Sequence, residues 1–294
     1  MPAKKHILVM PSWYATAQWP TNGSFFREQS LLMADDFDIT VSVSKKFWIS
    51  RQRFLFHKWF KRPHTLPTEP LEIQPPAGHT VLYPFCKFAT DEENLQAEIE
   101  AHVAYITTQF KDCPPALIHA HSAHTAGVVA HGISQKLGIP FVITEHFNPF
   151  LLSQFPPFWQ DKIRGALENA HGVLAVSEHQ RQNILMNGIH CNPITVGNLT
   201  NDELFTIPAQ RPESAKTRLL IVTYYPNFIK DMDTFFAAMG MLRDAGRHQN
   251  LECTIVGGGE LSGTYGQNHY TEIIQKNGWQ DFLKVVPSAN RQEM

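Results

Sequence analysis

Short apolar runs alternate with longer amphipathic stretches along this chain, and the alternation begins at once. Residues 6–10 form an apolar run closed by Pro11, which predicts a strand buried on both faces. A turn-rich loop with Pro20, Asn22 and Gly23 follows. Ser24 is then placed to cap a helix through Phe25, Phe26, Gln29, Leu32 and Met33. Residues 39–43 predict a second strand. The stretch past Pro63, with Pro67, Pro70, Pro75, Pro76 and Gly78, predicts an insertion or long irregular loop. Leu95, Ile99, Val103 and Ile106 recur at helical spacing behind a run of acids, which predicts a helix over 91–110.

The rhythm then becomes regular. A strand is predicted at 116–120, a helix at 123–137 stopped by Gly138-Ile139-Pro140, and a strand at 141–144. A helix ending near Ala170, a strand at 172–176 and a short run at 194–196 continue it. Between the last two, Ser177 and Gln180 have the spacing of a capping box that opens another helix. Residues 206–217 (TIPAQRPESAKT) are polar and carry two prolines, as a linker does. Beyond them the pattern restarts, with strands at 219–222, 251–256 and 282–286, helices at 233–244 and about 270–277, and a glycine turn at 257–259. The expected fold is α/β, with two Rossmann-like doubly wound domains: 1–205, the linker 206–217, and 218–294. Three strands and two helices leave faces of a doubly wound sheet uncovered, so the second domain is expected to be incomplete and the chain truncated.

Composition narrows the function classes. The 25 Lys and Arg balance 27 Asp and Glu in 294 residues, a net charge of −2, which argues against a nucleic-acid partner. No apolar run approaches the roughly 18 residues of a membrane span, and the N-terminal run is too short for a signal peptide. Cys86, Cys113, Cys191 and Cys253 are widely spaced and read as buried thiols of a reducing compartment, so a cytoplasmic location is expected.

In a doubly wound fold the ligand lies beyond the carboxyl ends of the strands. The residues there are Pro11 to Tyr14, including Ser12 and Trp13; Asn22-Gly23-Ser24; His119-Ala120-His121; Thr144-Glu145-His146; Thr223 to Lys230; and Gly257, Gly258, Gly259 and Glu260. Gly23 beside a helix start could present N–H groups to an anion, and Gly257 to Gly259 could admit a nucleotide closely; each could equally be a tight turn. Lys230 could neutralise a phosphate or be a solvated surface lysine. The HAHSAH segment, 119–124, invites a metal reading, since His119 and His121 share a strand face. No later carboxylate set completes a ligand sphere, so no metal is expected. An uncharged His that hydrogen-bonds a sugar hydroxyl is the simpler chemistry.

The strongest local bias is KKFWISRQRFLFHKWFKR, residues 45–62, with seven cations, six aromatics and no acid. It fits contact with an anionic membrane surface, at about 1 kcal/mol per cation. Apolar and basic positions intermix at helical spacing, so a clean amphipathic helix is not expected. The other readings are a loop whose aromatics pack on the domain while its cations face water, and a nucleic-acid footprint.

The order and spacing of HILVMPSWY, NGSFFREQ, LIHAHSAHTAGVVAHGISQKLGIPFVITEH, VLAVSEHQ, VGNLTNDELF, PNFIKDMDTFFAAM and TIVGGGE resemble the retaining glycosyltransferases of the GT4 family, over essentially the whole chain. The resemblance implies a GT-B architecture and metal-independent, cofactor-free transfer of a sugar from a nucleoside diphosphate sugar to a hydroxyl, with retention. The acceptor would be a polysaccharide or lipid-linked saccharide, since the insertion at 45–62 looks like that of members working at the inner membrane face. Without a metal, charge developing on the diphosphate must meet N–H groups and cations. By that resemblance Gly23 would lie beside the diphosphate and Lys230 would pair with it, while Gly257, Gly258, Gly259 and Glu260 would line the nucleotide side. His121 would touch the sugar or acceptor as the cleft histidine. Ser12, Trp13, Glu145 and His146 would face the acceptor.

Two departures stand out. The family's arginine before the lysine falls near Tyr224, and its paired glutamates would come after position 294, so this chain is expected to be inactive as it stands. The rival readings are a nucleotide-sugar epimerase, a non-catalytic GT-B-like binding or assembly subunit, and a metal hydrolase centred on HAHSAH.

Overall fold

The computed structural model describes residues 4–18, 20, 22–60, 66–199, 206–207, 210, 214–223, 230–257 and 267–286. The chain divides into two compact units, Met1–Thr200 and Asn201–Met294.

The first unit is a doubly wound sheet. In chain order it runs β1 (His6–Pro11), α1 (Ser24–Met33), β2 (Asp38–Trp48), α2 (Arg51–Phe60), β3 (Thr68–Pro70), β4 (Gly78–Phe85) and α3 (Asp91–Gln109). It continues with β5 (Leu117–His121), α4 (Val128–Leu137), β6 (Phe141–Glu145), α5 (Pro157–Asn169), β7 (Gly172–Ala175), α6 (Glu178–Met186) and β8 (Ile194–Thr195). The strand order is β3-β4-β2-β1-β5-β6-β7-β8, parallel except for the β3–β4 pair. Order reverses between β1 and β5, and this switch point is where such sheets bind ligands. Every residue of β1 is buried, as its apolar run predicts. Alternate side chains serve two cores: Leu8, Met10, Ile118, Ala120 and Ile143 pack with the helices on one side, while Ile7, Val9, Ile39 and Val41 pack with Phe26 of α1 on the other.

Several local expectations are corrected. The proline-broken stretch contains β3, and β4 follows it, paired in parallel with β2 over eight residues. Its glycine has a reason beyond breaking structure: a Cβ on Gly78 would stand 2.2 Å from the Val41 carbonyl oxygen, so only glycine lets the two backbones meet. Gly23, rather than Ser24, is the N-cap residue of α1, at φ 67°. The helix expected from 123 starts only at Val128. Ala123–Gly127 ahead of it is a wider, π-type turn kinked where His124 lies at φ −96°, ψ 119°, and Ser122 before the turn sits at φ 71°. The Ser177–Gln180 box is half made: the Ser177 hydroxyl accepts the Gln180 N–H at 3.1 Å, but the Gln180 amide donates to the Phe147 carbonyl at 2.9 Å instead of returning to the cap. A complete capping box joins Thr90 and Glu93 at the start of α3. Cys113 is exposed in the turn after α3, unlike buried Cys86 and Cys253.

Residues 45–60 of the basic-aromatic segment are not a packed loop, and Lys61 and Arg62 lie outside the described residues. β2 continues through Trp48 and α2 covers Arg51–Phe60, with Trp48, Phe56, Trp59 and Phe60 exposed.

The second unit contains a parallel sheet in the order β11-β10-β9, built from β9 (Thr217–Val222), β10 (Leu251–Val256) and β11 (Leu283–Val286). Two helices, α7 (Met232–Asp244) and α8 (Gln267–Asn277), accompany it. Met232, Phe236, Met239, Tyr270 and Ile274 of these helices pack on Cys253 and Ile255. Leu220 and Val222 of β9 are exposed. Residues 208–209 and 211–213 of the expected linker lie outside the described residues.

Candidate functional site

At the switch point of the first sheet, the carboxyl ends of β1, β5 and β6 bring Ser12, His121 and Glu145 into one network. The Ser12 hydroxyl lies 3.0 Å from the His121 carbonyl and 2.9 Å from that of His124, and accepts the Ala126 N–H at 3.1 Å. It clasps the end of β1 to the turn after β5. Glu145 is wholly buried, and three main-chain N–H groups converge on it. Ala123 donates to Oε2 at 2.7 Å; His146 and Phe147 donate to Oε1 at 2.8 and 2.7 Å. Burial raises its pKa and these donors pull it back.

Histidines fill the space between. His119 and His121, two residues apart on β5, share a face as their spacing predicts, with ring centroids 4.3 Å apart. His119 Nε2 pairs with the Thr144 hydroxyl at 2.7 Å, and His121 Nδ1 with His146 Nε2 at 3.0 Å. His121 is 0% exposed, and its Nε2 has no hydrogen-bond partner; nor has the buried Ser122 hydroxyl. Desolvation is the main cause that drives the histidine pKa values down, to about 4 for His119 and His146 and well below the ordinary value for His121. All three are neutral at pH 7.

α1 closes over this cluster. Phe26 packs 4.8 Å from the His121 ring and 5.0 Å from His146, and Phe25 lies 5.2 Å from His146. Gly23 is buried at the helix start, where an added Cβ would meet Trp13 at 3.0 Å and Phe26 at 3.1 Å; Trp13 in turn packs edge-on against Phe25 and Phe26. The structure therefore brings Ser12, Trp13, Gly23, His121, Glu145 and His146 together. The sequence reading placed Thr144 at the strand end without its pairing to His119, and it missed Phe25 and Phe26 as partners; the aromatic pair two residues after Gly23 was the available signal.

The remaining expected residues belong to the second unit. Lys230 is exposed beside Asp231, whose carboxylate caps α7 by accepting the Thr234 N–H at 3.4 Å. Gly257 follows β10 at φ 98°, and a Cβ there would stand 2.1 Å from the Thr223 carbonyl oxygen, so the tight passage requires glycine. Gly258, Gly259, Glu260 and Tyr224 lie outside the described residues. Among the described residues, no group of three or more His, Cys, Asp or Glu has the geometry to hold a metal.

Residues 67–197, from the lead-in to β3 through β8, match the family model described as Glycosyltransferase Family 4. That segment belongs to glycosyltransferase family 4. It contains the whole histidine cluster with Glu145. No match emerges among curated protein sequences. Among solved structures, the chain is similar to sucrose-phosphate synthase from Thermosynechococcus elongatus at 15% identity and a TM-score of 0.63, covering 98% of this chain and 72% of that one. It is similar to Anabaena HepE in complex with UDP at 14% identity and 0.57, covering 98% and 70%. The UDP-GlcNAc 2-epimerase of Methanocaldococcus jannaschii follows at 12% and 0.50, covering 98% and 74%. These likenesses show the fold, which is GT-B.

The depressed histidine values set a pH dependence. A histidine whose folded pKa is lowered gives stability that is complete above its unfolded value near 6.5 and is lost as pH falls toward 4. Urea melts between pH 7 and pH 4.5 should show His119→Asn flattening the acid loss by up to about 1.4 kcal/mol per pH unit. An unchanged slope in that variant would contradict the burial assigned to His119.

Proposed function

We propose that this chain is built to handle a nucleoside diphosphate sugar and to transfer the sugar, with retention, to a hydroxyl of a polysaccharide or lipid-linked acceptor. The family 4 match over the segment holding the histidine site carries this reading. Fold alone does not choose the chemistry, because an epimerase shares it. HepE is described with UDP, which makes UDP the first nucleotide to test.

In this reading the neutral histidines meet sugar hydroxyls, since uncharged rings accept and donate without attracting the leaving diphosphate. His121 and His146 are the polar groups for that task, with Trp13 as apolar wall. Ser12 and Glu145 hold the loops in place, because their oxygens are engaged by the main chain. Gly23, Lys230, Gly257, Gly258, Gly259 and Glu260 keep the diphosphate and nucleotide roles that the family resemblance implies, without a metal.

Calorimetry in the presence of EDTA should show one of UDP, GDP or ADP binding, with Lys230→Ala weakening it roughly tenfold or more, the loss of one charged hydrogen bond. Tyr224 stands where the resemblance calls for an arginine, so sugar transfer by this polypeptide should fall below detection. Absence of any nucleotide binding, or detectable sugar transfer or donor hydrolysis by this polypeptide, would contradict these expectations.

The acceptor side points to a membrane. No described helix is long and apolar enough to cross one. α2 and its surroundings instead present exposed Trp48, Phe56, Phe60, Phe88 and Trp59, the last 83% exposed, among exposed Arg51, Arg53, Lys58 and Lys87. Lys87 lies over the Phe88 ring at 5.0 Å and Lys46 over Phe85 at 4.4 Å, so cations and aromatics occupy one surface. Such a surface suits an anionic lipid interface, where each cation contributes about 1 kcal/mol and Trp favours the headgroup level. Co-sedimentation should show binding to phosphatidylglycerol vesicles, little to phosphatidylcholine, and a loss of several-fold or more in Trp59→Ser with Arg53→Gln. Equal binding to both lipids, or to neither, would overturn the membrane assignment.

A further inference from the structure

The hydrogen bond between His121 and His146 has a consequence for the far side of the His121 ring. A neutral imidazole carries one proton, and the 3.0 Å contact between His121 Nδ1 and His146 Nε2 needs a donor on one side and an acceptor on the other. Two arrangements satisfy it. If His146 donates, His121 keeps its proton on Nε2, and that N–H is buried with no acceptor. If His121 donates, its Nε2 is a bare lone pair. Buried orphan N–H groups are rarer and costlier than under-used acceptors, so the second arrangement is favoured. The groups packed around His121 supply no competing acceptor to Nε2: His119 presents its ring and pairs with Thr144, Phe26 is apolar, and the Glu145 oxygens take main-chain N–H groups.

We infer that His146 is a positioning residue that accepts the His121 Nδ1–H and so fixes His121 as a hydrogen-bond acceptor at Nε2. The group this nitrogen is set to receive is a hydroxyl donor. Ser122, next in the chain, adds a second buried hydroxyl without a partner, so a ligand rich in hydroxyls could satisfy both. A sugar meets that description, and to this extent the inference rests on the proposed function. Because Nε2 is buried, such a ligand must part the rings packed on His121, Phe26 among them.

The tautomer can be read without any ligand. Long-range proton–nitrogen spectra of the intact chain, labelled with 15N-histidine, should at pH 7.5 show His121 protonated at Nδ1 and bare at Nε2, and His146 protonated at Nδ1. His146→Leu removes the acceptor and should shift the main His121 population to the Nε2–H form. His146→Gln offers an amide oxygen instead and should restore the Nδ1–H form. A wild-type His121 protonated at Nε2, or a tautomer unmoved in His146→Leu, would overturn the inference. The wild-type spectrum decides alone if the leucine variant does not fold. Should the tautomer be as stated while no nucleotide binds in calorimetry, the proposed function fails and the positioning role stands.

Discussion

The first unit depends on one buried carboxylate. Glu145 ends β6, and its two oxygens gather the N–H groups of Ala123, His146 and Phe147, tying the turn after β5 to the loop after β6. Those N–H groups would otherwise be buried without partners at a place where no strand or helix supplies acceptors. Ser12 does the matching work from β1, holding the carbonyls of His121 and His124. With both loops fixed, the histidines between them have little freedom, and Phe25 and Phe26 of α1 close over the rings. An ordered polar cluster at the switch point of a parallel sheet is the result.

Burial determines what these histidines can do. In water a histidine is half-charged near pH 6.5; here desolvation keeps the rings neutral well into acid. Neutral rings act through directed hydrogen bonds rather than through charge.

Much of this was legible in the sequence because the decisive patterns are local. The fully apolar run of β1, the βαβ rhythm from 116 to 176 and the strand-end positions of His121 and Glu145 follow from periodicity and the geometry of doubly wound sheets. What was missed depends on partners distant in sequence. β4 was hidden because Pro75, Pro76 and Gly78 look like breakers, yet Gly78 is what lets β4 approach Val41. α2 was hidden because its apolar and basic positions intermix, and all its described side chains except Phe54 are exposed. The turn ahead of α4 is held by Ser12, more than a hundred residues earlier in the chain. Glu145 was recognised as a strand-end acid, but nothing local reveals that its oxygens are taken by Ala123, twenty-two residues away, and by the two residues after it.

The claim that Glu145 organises the site is tested most directly by residue-resolved hydrogen exchange on wild type and Glu145→Ala. The amides of Ala123, His146 and Phe147 should lose protection by at least an order of magnitude while those within β1 and α4 stay protected. Unchanged protection at those three amides would show that something other than this carboxylate holds the loops, and the account of the site would be wrong.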